Sequence, residues 1–377
     1  MNVRNPRFPL FDSVRGLAAL SVVTCHIALT LNGFANPHVG RYLIQLNIGV
    51  AVFFMMSGFL LYRPFVAARF AGVRMPATGA YGIRRFFRIV PGYWVALPLI
   101  AIWLELPAVL NNPPPYFGFA QVYDRSTLFN GYGVAWTLCV EVPFYLLLPV
   151  WAFAMRRLPG RSRRALVLSE VVGLGLLCVG ALVWNTTQSQ HGAGPVPITT
   201  AVSSFPAFVD QFAIGMMLAM ASVALGGREP RAIRVVHRAS WLCWLVAIGA
   251  WVVLCNIGSV GTGSGEVVRH ELRGLVAAAV LLPAVFGDDR GGVVRRLLAD
   301  RRVQWVGLIS YSLYLWHAAI VVKAGRAGWA DRLGWLGFTI GALAASLAVG
   351  AIAFYAWERP SLRLGRRIAW RADGGRR

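Results

Sequence analysis

The first long apolar segment of the chain, "FDSVRGLAALSVVTCHI", carries three ionisable residues whose types suit chemistry: Asp12, Arg15 and His26. On a helix, Arg15 and His26 differ by about 20° around the axis and about 16 Å along it, so they share one face at different depths. A guanidinium suits phosphate groups, and an imidazole transfers protons near neutral pH. The spacing therefore predicts a helix face with an anion-binding end and an acid–base end.

Both ends of this face also have a simpler interpretation. Asp12 lies three residues before Arg15, so the two side chains can pair at the membrane interface and extend towards the headgroups. His26 can be a buried, neutral histidine whose ring donates a hydrogen bond to a backbone carbonyl. The sequence leaves these alternatives open.

Two further apolar segments place polar side chains at a depth similar to that of His26. "WTLCVEVPFYLLLP" carries Glu141 on a polar stripe, and "ISYSLYLWHAAIV" carries Tyr314 and His317 on one face. Packed together, these groups would form a buried His/Glu/His site for general base catalysis, or a proton relay in a transporter. No metal is expected here, because ligands on three separate helices lack the short spacing of metal motifs.

Composition places these groups in a membrane protein. The 377 residues are 57% hydrophobic and 14% charged, whereas soluble proteins carry roughly a quarter charged residues. Hydropathy predicts an all-α, polytopic transmembrane bundle of about ten helices. The predicted spans are 9–31, 43–62, 89–110, 136–155, 165–184, 205–224, 239–257, 271–287, 303–322 and 335–357.

The net charge of +22 follows the order of these spans. Most of the 37 Lys and Arg residues lie in alternate connections, which predicts that both termini are cytoplasmic. Lys323 is the only lysine, which indicates a GC-rich bacterial genome, and the predicted location is a bacterial cytoplasmic membrane. Basic loops of this kind suit the lipid bilayer, and nucleic acid is not expected as a partner. The polar groups inside the first apolar run favour a retained span over a signal peptide.

A second basic feature lies at the predicted cytoplasmic mouth of the third span. "RRFFRIVPGYW" contains Arg84, Arg85 and Arg88, whose guanidinium groups suit phosphate and pyrophosphate. An ordinary cluster of the positive-inside type is the alternative. "AWERP" closes the last span with Glu358, which can pair with one of these arginines.

No repeat or linker divides the chain, so a single membrane domain, 1–377, is predicted, with a core at about 8–360 and a basic cytoplasmic tail at 361–377. The segment 111–135 is rich in Pro, Gly and aromatic residues and is either a re-entrant or lid element that shapes a site, or a surface loop. The polar segment 185–200 is predicted to be a plain exposed loop.

Six of these segments, taken together, resemble the bacterial acyltransferase family 3, which transfers acyl groups from acyl-CoA to hydroxyl groups. In the family's order they are "RGLAALSVVTCH", "GVAVFFMMSGFLL", "RRFFRIVPGYW", "WTLCVEVPFYLLLP", "ISYSLYLWH" and "WERP". The resemblance implies a transmembrane O-acyltransferase with acyl-CoA as co-substrate and no permanently bound cofactor. The implied acceptor is a hydroxyl of a carbohydrate: a cell-envelope glycan, a glycolipid or a glycosylated natural product.

The family's Arg and His pair corresponds to Arg15 and His26, and its Trp and Glu to Trp136 and Glu141. In the predicted mechanism, His26, oriented or charged by Glu141, removes the proton of the acceptor hydroxyl. A proton-coupled transporter or an exporter of a lipid-linked glycan is the alternative, although no matched pair of broken helices suggests inverted repeats. The predicted site comprises catalytic His26, Glu141 and His317, donor-binding Arg15, Arg84, Arg85 and Arg88, and substrate-positioning Asp12, Trp136 and Tyr314.

Overall fold

The computed structural model describes residues 8, 10–160, 162–190, 200–226, 230–257, 263–287 and 293–373. Within these ranges the chain forms ten long helices and no strand, which confirms the predicted all-α fold. The long helices are α1 (Leu10–Thr30), α2 (Gly49–Ala71), α3 (Thr78–Leu104), α4 (Trp136–Arg157), α5 (Arg163–Gln190), α6 (Phe205–Leu225), α7 (Ser240–Asn256), α8 (Gly263–Phe286), α9 (Arg301–Arg326) and α10 (Trp329–Ala353). A π-helical turn, Phe354–Glu358, leads into α11 (Arg359–Ala372).

Each predicted span corresponds to one long helix. Among the described residues, eight stretches are long and apolar enough to cross a membrane. The other two long helices differ for simple reasons: α7 has 17 residues, and α8 begins with a charged segment that contains Glu266, Arg269, Glu271 and Arg273. The chain is therefore a multi-pass membrane protein.

Two helices extend beyond their predicted spans at the ends that are predicted to face the cytoplasm. α2 starts at Gly49 and continues to Ala71, and α3 starts at Thr78 instead of at position 89. Hydropathy marks only the apolar part of a helix, whereas long arginine side chains allow the helix to continue into a polar environment. The basic cluster of the third span therefore lies within the first turns of α3 rather than before it.

The prediction of a plain loop at 185–200 is wrong for its first part, because α5 continues to Gln190. Thr186 Oγ1 donates to the Leu182 carbonyl at 2.7 Å, and buried Asn185 donates from Nδ2 to the Ala207 carbonyl at 2.9 Å. These bonds satisfy polar side chains within the helical conformation. Positions 191–199 lie outside the described residues.

The described chain forms two compact units, each assembled from three segments. The first unit is Met1–Val14, Val50–Pro76 and Val140–Val303; the second is Arg15–Gly49, Ala77–Cys139 and Gln304–Arg377. Because the segments alternate along the chain, this division does not separate consecutive domains. The predicted single domain stays a prediction.

Close backbone contacts hold the first unit together. A Cβ atom at Gly215 of α6 would lie 2.0 Å from the Met55 carbonyl oxygen of α2, so only glycine permits this approach. Nearby, buried Glu170 of α5 accepts hydrogen bonds from Tyr62 at 2.7 Å and from Arg69 at 2.5 Å. A buried carboxylate is thus compensated by both charge and hydrogen bonds.

In the second unit, α9 is the most buried helix and carries the candidate site. Gly350 of α10 lies so close to α9 that a Cβ atom there would be 2.9 Å from the Leu313 Cα. Gly365 of α11 packs against the Phe87 side chain of α3 in the same way. The predicted basic tail is therefore helical up to Ala372 and packs along α3.

Candidate active site

Two histidines from different helices of the second unit meet at the centre of the candidate site. His26 lies in the last two turns of α1 and is partly exposed, whereas His317 of α9 is completely buried. His317 Nε2 lies 3.3 Å from His26 Nδ1, and the ring centroids are 5.1 Å apart. The structure thus brings together two residues that lie 291 positions apart in the sequence.

The backbone contacts of these rings fix which nitrogens carry protons. His317 Nδ1 lies 2.8 Å from the Tyr314 carbonyl oxygen and 3.2 Å from that of Leu313. His26 Nδ1 lies 2.9 Å from the Val22 carbonyl oxygen. Because a carbonyl oxygen only accepts hydrogen bonds, both Nδ1 atoms must carry hydrogen, and in the neutral rings both Nε2 atoms are left unprotonated.

This arrangement assigns a different part to each ring. His317 Nε2 accepts from His26 Nδ1–H, which is shared with the Val22 carbonyl. His26 Nε2 remains as the basic nitrogen of the pair. The expectation that His26 donates to a backbone carbonyl is thus correct, and the same bond makes its other nitrogen a proton acceptor.

A cavity of about 350 Å³ opens beside His26. It lies where α1, α3 and α9 end and α4 begins, and its wall is mainly apolar and aromatic. Its lining residues include His26, Phe129, Tyr132, Trp136, Val322 and Arg326. Such a cavity, with a few polar groups on an apolar wall, has the character of a small-molecule site.

The segment 111–135 forms one wall of this cavity. Tyr132 donates its hydroxyl hydrogen to the Leu315 carbonyl of α9 at 2.5 Å, and Tyr116 bonds in the same way to the Asn130 carbonyl. Gly131, Tyr132 and Val134 line the cavity. The segment therefore lines a cavity, while its role as a re-entrant or lid element that shapes a site stays a prediction.

Two of the predicted substrate-positioning residues, Trp136 and Tyr314, lie at the start of α4 or against it. Trp136 lines the cavity, while Tyr314 is buried and does not. The Tyr314 hydroxyl lies 2.9 Å from Thr137 Oγ1 and donates to the Val134 carbonyl at 3.0 Å. Tyr314 therefore holds the start of α4 against α9, and the ring of His317 lies 5.6 Å from its own ring.

Glu141 belongs to the first unit, unlike the two histidines. Its carboxylate accepts a hydrogen bond from Tyr145, one helical turn further along α4, as the polar stripe in the sequence predicts. The role of Glu141 as the carboxylate that orients His26 stays a prediction.

The predicted donor-binding arginines of α3 differ in their environment. Arg88 donates to the buried carboxylate of Glu358, which confirms the expected pairing of Glu358 with an arginine of this cluster. Glu358 also accepts from Ser312 at 2.6 Å. Arg84 is exposed and Arg85 is partly exposed, so their guanidinium groups are more accessible to a phosphate than that of the paired Arg88.

Arg15 is partly buried in α1, and Asp12 is exposed at the start of that helix. Their places in a phosphate site and in substrate positioning stay predictions. Tyr132 and Arg326 lie in or next to connections between helices and were not predicted from the sequence. Arg326 donates to the Leu104 carbonyl at 2.9 Å, and both residues line the cavity.

A helical membrane protein with an imidazole group at the wall of a cavity belongs to the membrane proteins whose buried ionisable residues mark a functional site. The sequence profile of the acyltransferase domain matches residues 9–355, so the chain belongs to acyltransferase family 3. It is an acyltransferase that transfers groups other than amino-acyl groups.

Curated relatives agree with this family. Acyltransferase MdmB of Streptomyces mycarofaciens is 26% identical, over 97% of this chain and 95% of its own length. The peptidoglycan O-acetyltransferase OatA of Listeria monocytogenes is 25% identical over 83% of this chain, and the exopolysaccharide production protein ExoZ of Rhizobium meliloti is 26% identical over 84%. The match spans only 49% of OatA but 90% of ExoZ. No solved structure matches the chain.

Proposed function

We propose that this protein is an O-acyltransferase of the bacterial cytoplasmic membrane that moves a short acyl group from acyl-CoA to a carbohydrate hydroxyl. The observation that carries the proposal is the position of His26 at the wall of the 350 Å³ cavity, with its Nδ1 atom held by the Val22 carbonyl. The names of OatA and ExoZ support a cell-envelope or exopolysaccharide acceptor.

In the proposed reaction, His26 Nε2 accepts the proton of the acceptor hydroxyl while the hydroxyl oxygen attacks the thioester carbonyl carbon. The tetrahedral intermediate collapses with cleavage of the C–S bond. The imidazolium of His26 then returns its proton to the departing thiolate, so the products are the ester and CoA-SH. His317 acts as a positioning residue, because its Nε2 holds His26 Nδ1–H and its ring is completely buried.

The cavity is suited to a sugar acceptor. Trp136, Phe129 and Tyr132 line it with aromatic rings, which present apolar faces and a few polar atoms to a ligand. Arg326 adds a guanidinium whose remaining N–H groups can donate to hydroxyl or anionic oxygens.

The donor is proposed to bind with its phosphates at Arg84 and Arg85, with Arg15 further along the path to His26. Exposure of Arg84 and the helix spacing of Arg15 and His26 support this arrangement. Arg88, being paired with Glu358, contributes mainly to the position of α3.

The test measures transfer of the radiolabelled acetyl group from acetyl-CoA by the purified full-length protein in lipid nanodiscs. A panel of sugars and glycans is offered as acceptors, and hydrolysis of acetyl-CoA is measured in their absence. His26→Gln is expected to lower the rate by about 10²–10⁴-fold, because it removes a general base. His38→Gln, an exposed histidine of the same unit, serves as the matched control and should leave the rate unchanged.

Two results would overturn the proposal. If the wild-type protein neither binds nor turns over any short acyl-CoA, the proposal that acyl-CoA is the donor is wrong. Full activity of His26→Gln in an active preparation would contradict the assigned base.

A further inference from the structure

A second cluster of polar side chains lies in the first unit, whereas the histidine pair belongs to the second. Asp210 of α6 and His270 of α8 are buried, and Glu271, the next residue of α8, is exposed. Asp210 Oδ2 and His270 Nε2 lie 2.8 Å apart. One atom from each of the three side chains lies within 4.8 Å of the other two.

We propose that Asp210, His270 and Glu271 form a binding site for a divalent transition-metal ion, with Zn²⁺ as the preferred ion. One imidazole and two carboxylates are common ligands of such ions, at about 2.0–2.2 Å. Three atoms at this separation can surround one ion after small side-chain rotations. Among metals without redox chemistry, imidazole and carboxylate ligands bind zinc most tightly.

The second carboxylate oxygen of Asp210 gives independent support. Asp210 is 2% exposed, and its Oδ1 atom is buried without a hydrogen-bond partner among the described residues. A buried carboxylate oxygen that lacks a donor is costly, because it has lost its hydration. A cation bound at the carboxylate would compensate that loss.

The charge of the cluster also favours a bound cation. Two carboxylates and one imidazole carry excess negative charge when the ring is neutral. Arg269 and Arg273 lie on the same helix, and both donate to Glu266, at 3.3 Å and 2.9 Å. Both arginines thus contact a carboxylate outside the cluster.

The exposed position of Glu271 gives an ion a route to the buried pair. Binding would displace any hydrogen from His270 Nε2, since that nitrogen must present its lone pair to the metal. The bound ion would link α6 to α8, two helices that already pack against each other.

The test is metal content, which does not depend on acyl transfer. Full-length protein carrying an affinity tag without histidine is stripped with EDTA, incubated with ZnCl₂, separated from free metal and analysed by plasma mass spectrometry. One zinc per chain is expected, together with a raised thermal unfolding midpoint that EDTA reverses. Glu271→Gln and Asp210→Asn are each expected to weaken zinc binding by at least about tenfold.

Glu271→Gln is the decisive variant, because an exposed side chain can be changed without disturbing the fold. Asp331→Asn, at an exposed carboxylate of α10 outside the cluster, is the matched control and should bind zinc like wild type. Equal binding by Glu271→Gln, Asp210→Asn and wild type would overturn the proposal. So would a wild-type protein that binds no zinc at micromolar concentration, which would leave Asp210 and His270 as a hydrogen-bonded pair.

Discussion

At the scale of single residues, the two histidines of the candidate site differ in what their rings contact. His317 has carbonyl oxygens at Nδ1 and His26 at Nε2, so its tautomer is fixed on both sides. His26 has its Nδ1 fixed by the Val22 carbonyl, and its side chain lines the cavity. The Val22 carbonyl and the buried ring of His317 together favour one protonation pattern of the accessible ring, as second partners do for catalytic and metal-bound histidines.

Replacing His317 by Leu is expected to lower kcat by about 10²-fold or more while KM changes little, because His26 Nδ1–H then keeps only the Val22 carbonyl as acceptor and its ring loses the partner that helps to orient it. His317→Gln keeps an acceptor near His26 Nδ1–H and should retain more activity than His317→Leu. Steady-state kinetics and the thermal unfolding midpoint separate the effects on catalysis and stability. Loss of activity in proportion to loss of folded protein would indicate a purely structural role.

At the scale of helices, glycine contacts decide how closely α9 meets its neighbours. Gly350 of α10 lies against the Leu313 backbone, four residues before His317. The position of His317 therefore depends on small residues of a helix that carries none of the predicted site residues. Packing of this kind is common where membrane helices approach closely.

Gly350→Ala is expected to destabilise the protein by about 1–3 kcal/mol, since the added methyl group would lie 2.9 Å from a backbone atom that cannot move alone. Gly341→Ala is the control on the same helix, because nothing lies within 4 Å of the added atom. The control should be neutral or stabilising by up to about 1 kcal/mol. Unfolding midpoints of both variants in one detergent provide the measurement, and equal midpoints would contradict the close contact.

At the scale of the whole molecule, the distribution of arginine predicts the orientation in the membrane. The connection that contains His38 is predicted to face outwards, and α11 with its many arginines is predicted to face the cytoplasm. This orientation would place the cavity beside His26 towards the outer side and Arg84 towards the cytoplasm.

Single-cysteine labelling tests this orientation in a background from which Cys25, Cys139, Cys178, Cys243 and Cys255 have been removed. A membrane-impermeant maleimide should label His38→Cys in intact cells and Arg366→Cys only after permeabilisation. Both positions are exposed, so access to the reagent depends on the side of the membrane. The reverse pattern would refute the predicted orientation.

The sequence by itself determined the helical membrane fold, because spans of about 20 apolar residues have few other stable structures in lipid. It also identified the polar residues on each helix face, including Glu358 as a partner for a nearby arginine. The predicted bounds of α2, α3 and α5 were less accurate. Hydropathy detects only the apolar part of a helix, whereas these helices continue into polar residues.

Only the tertiary structure decided which of these residues meet. His26 and His317 lie within hydrogen-bond reach, Arg88 is paired and Arg84 is exposed, and Tyr132 and Arg326 line the cavity. The physical reason is that helix periodicity fixes the direction of a side chain around its own axis, but the rotation and depth of each helix against its neighbours depend on packing. Contacts between residues hundreds of positions apart, and the tautomers that follow from them, arise only from that packing.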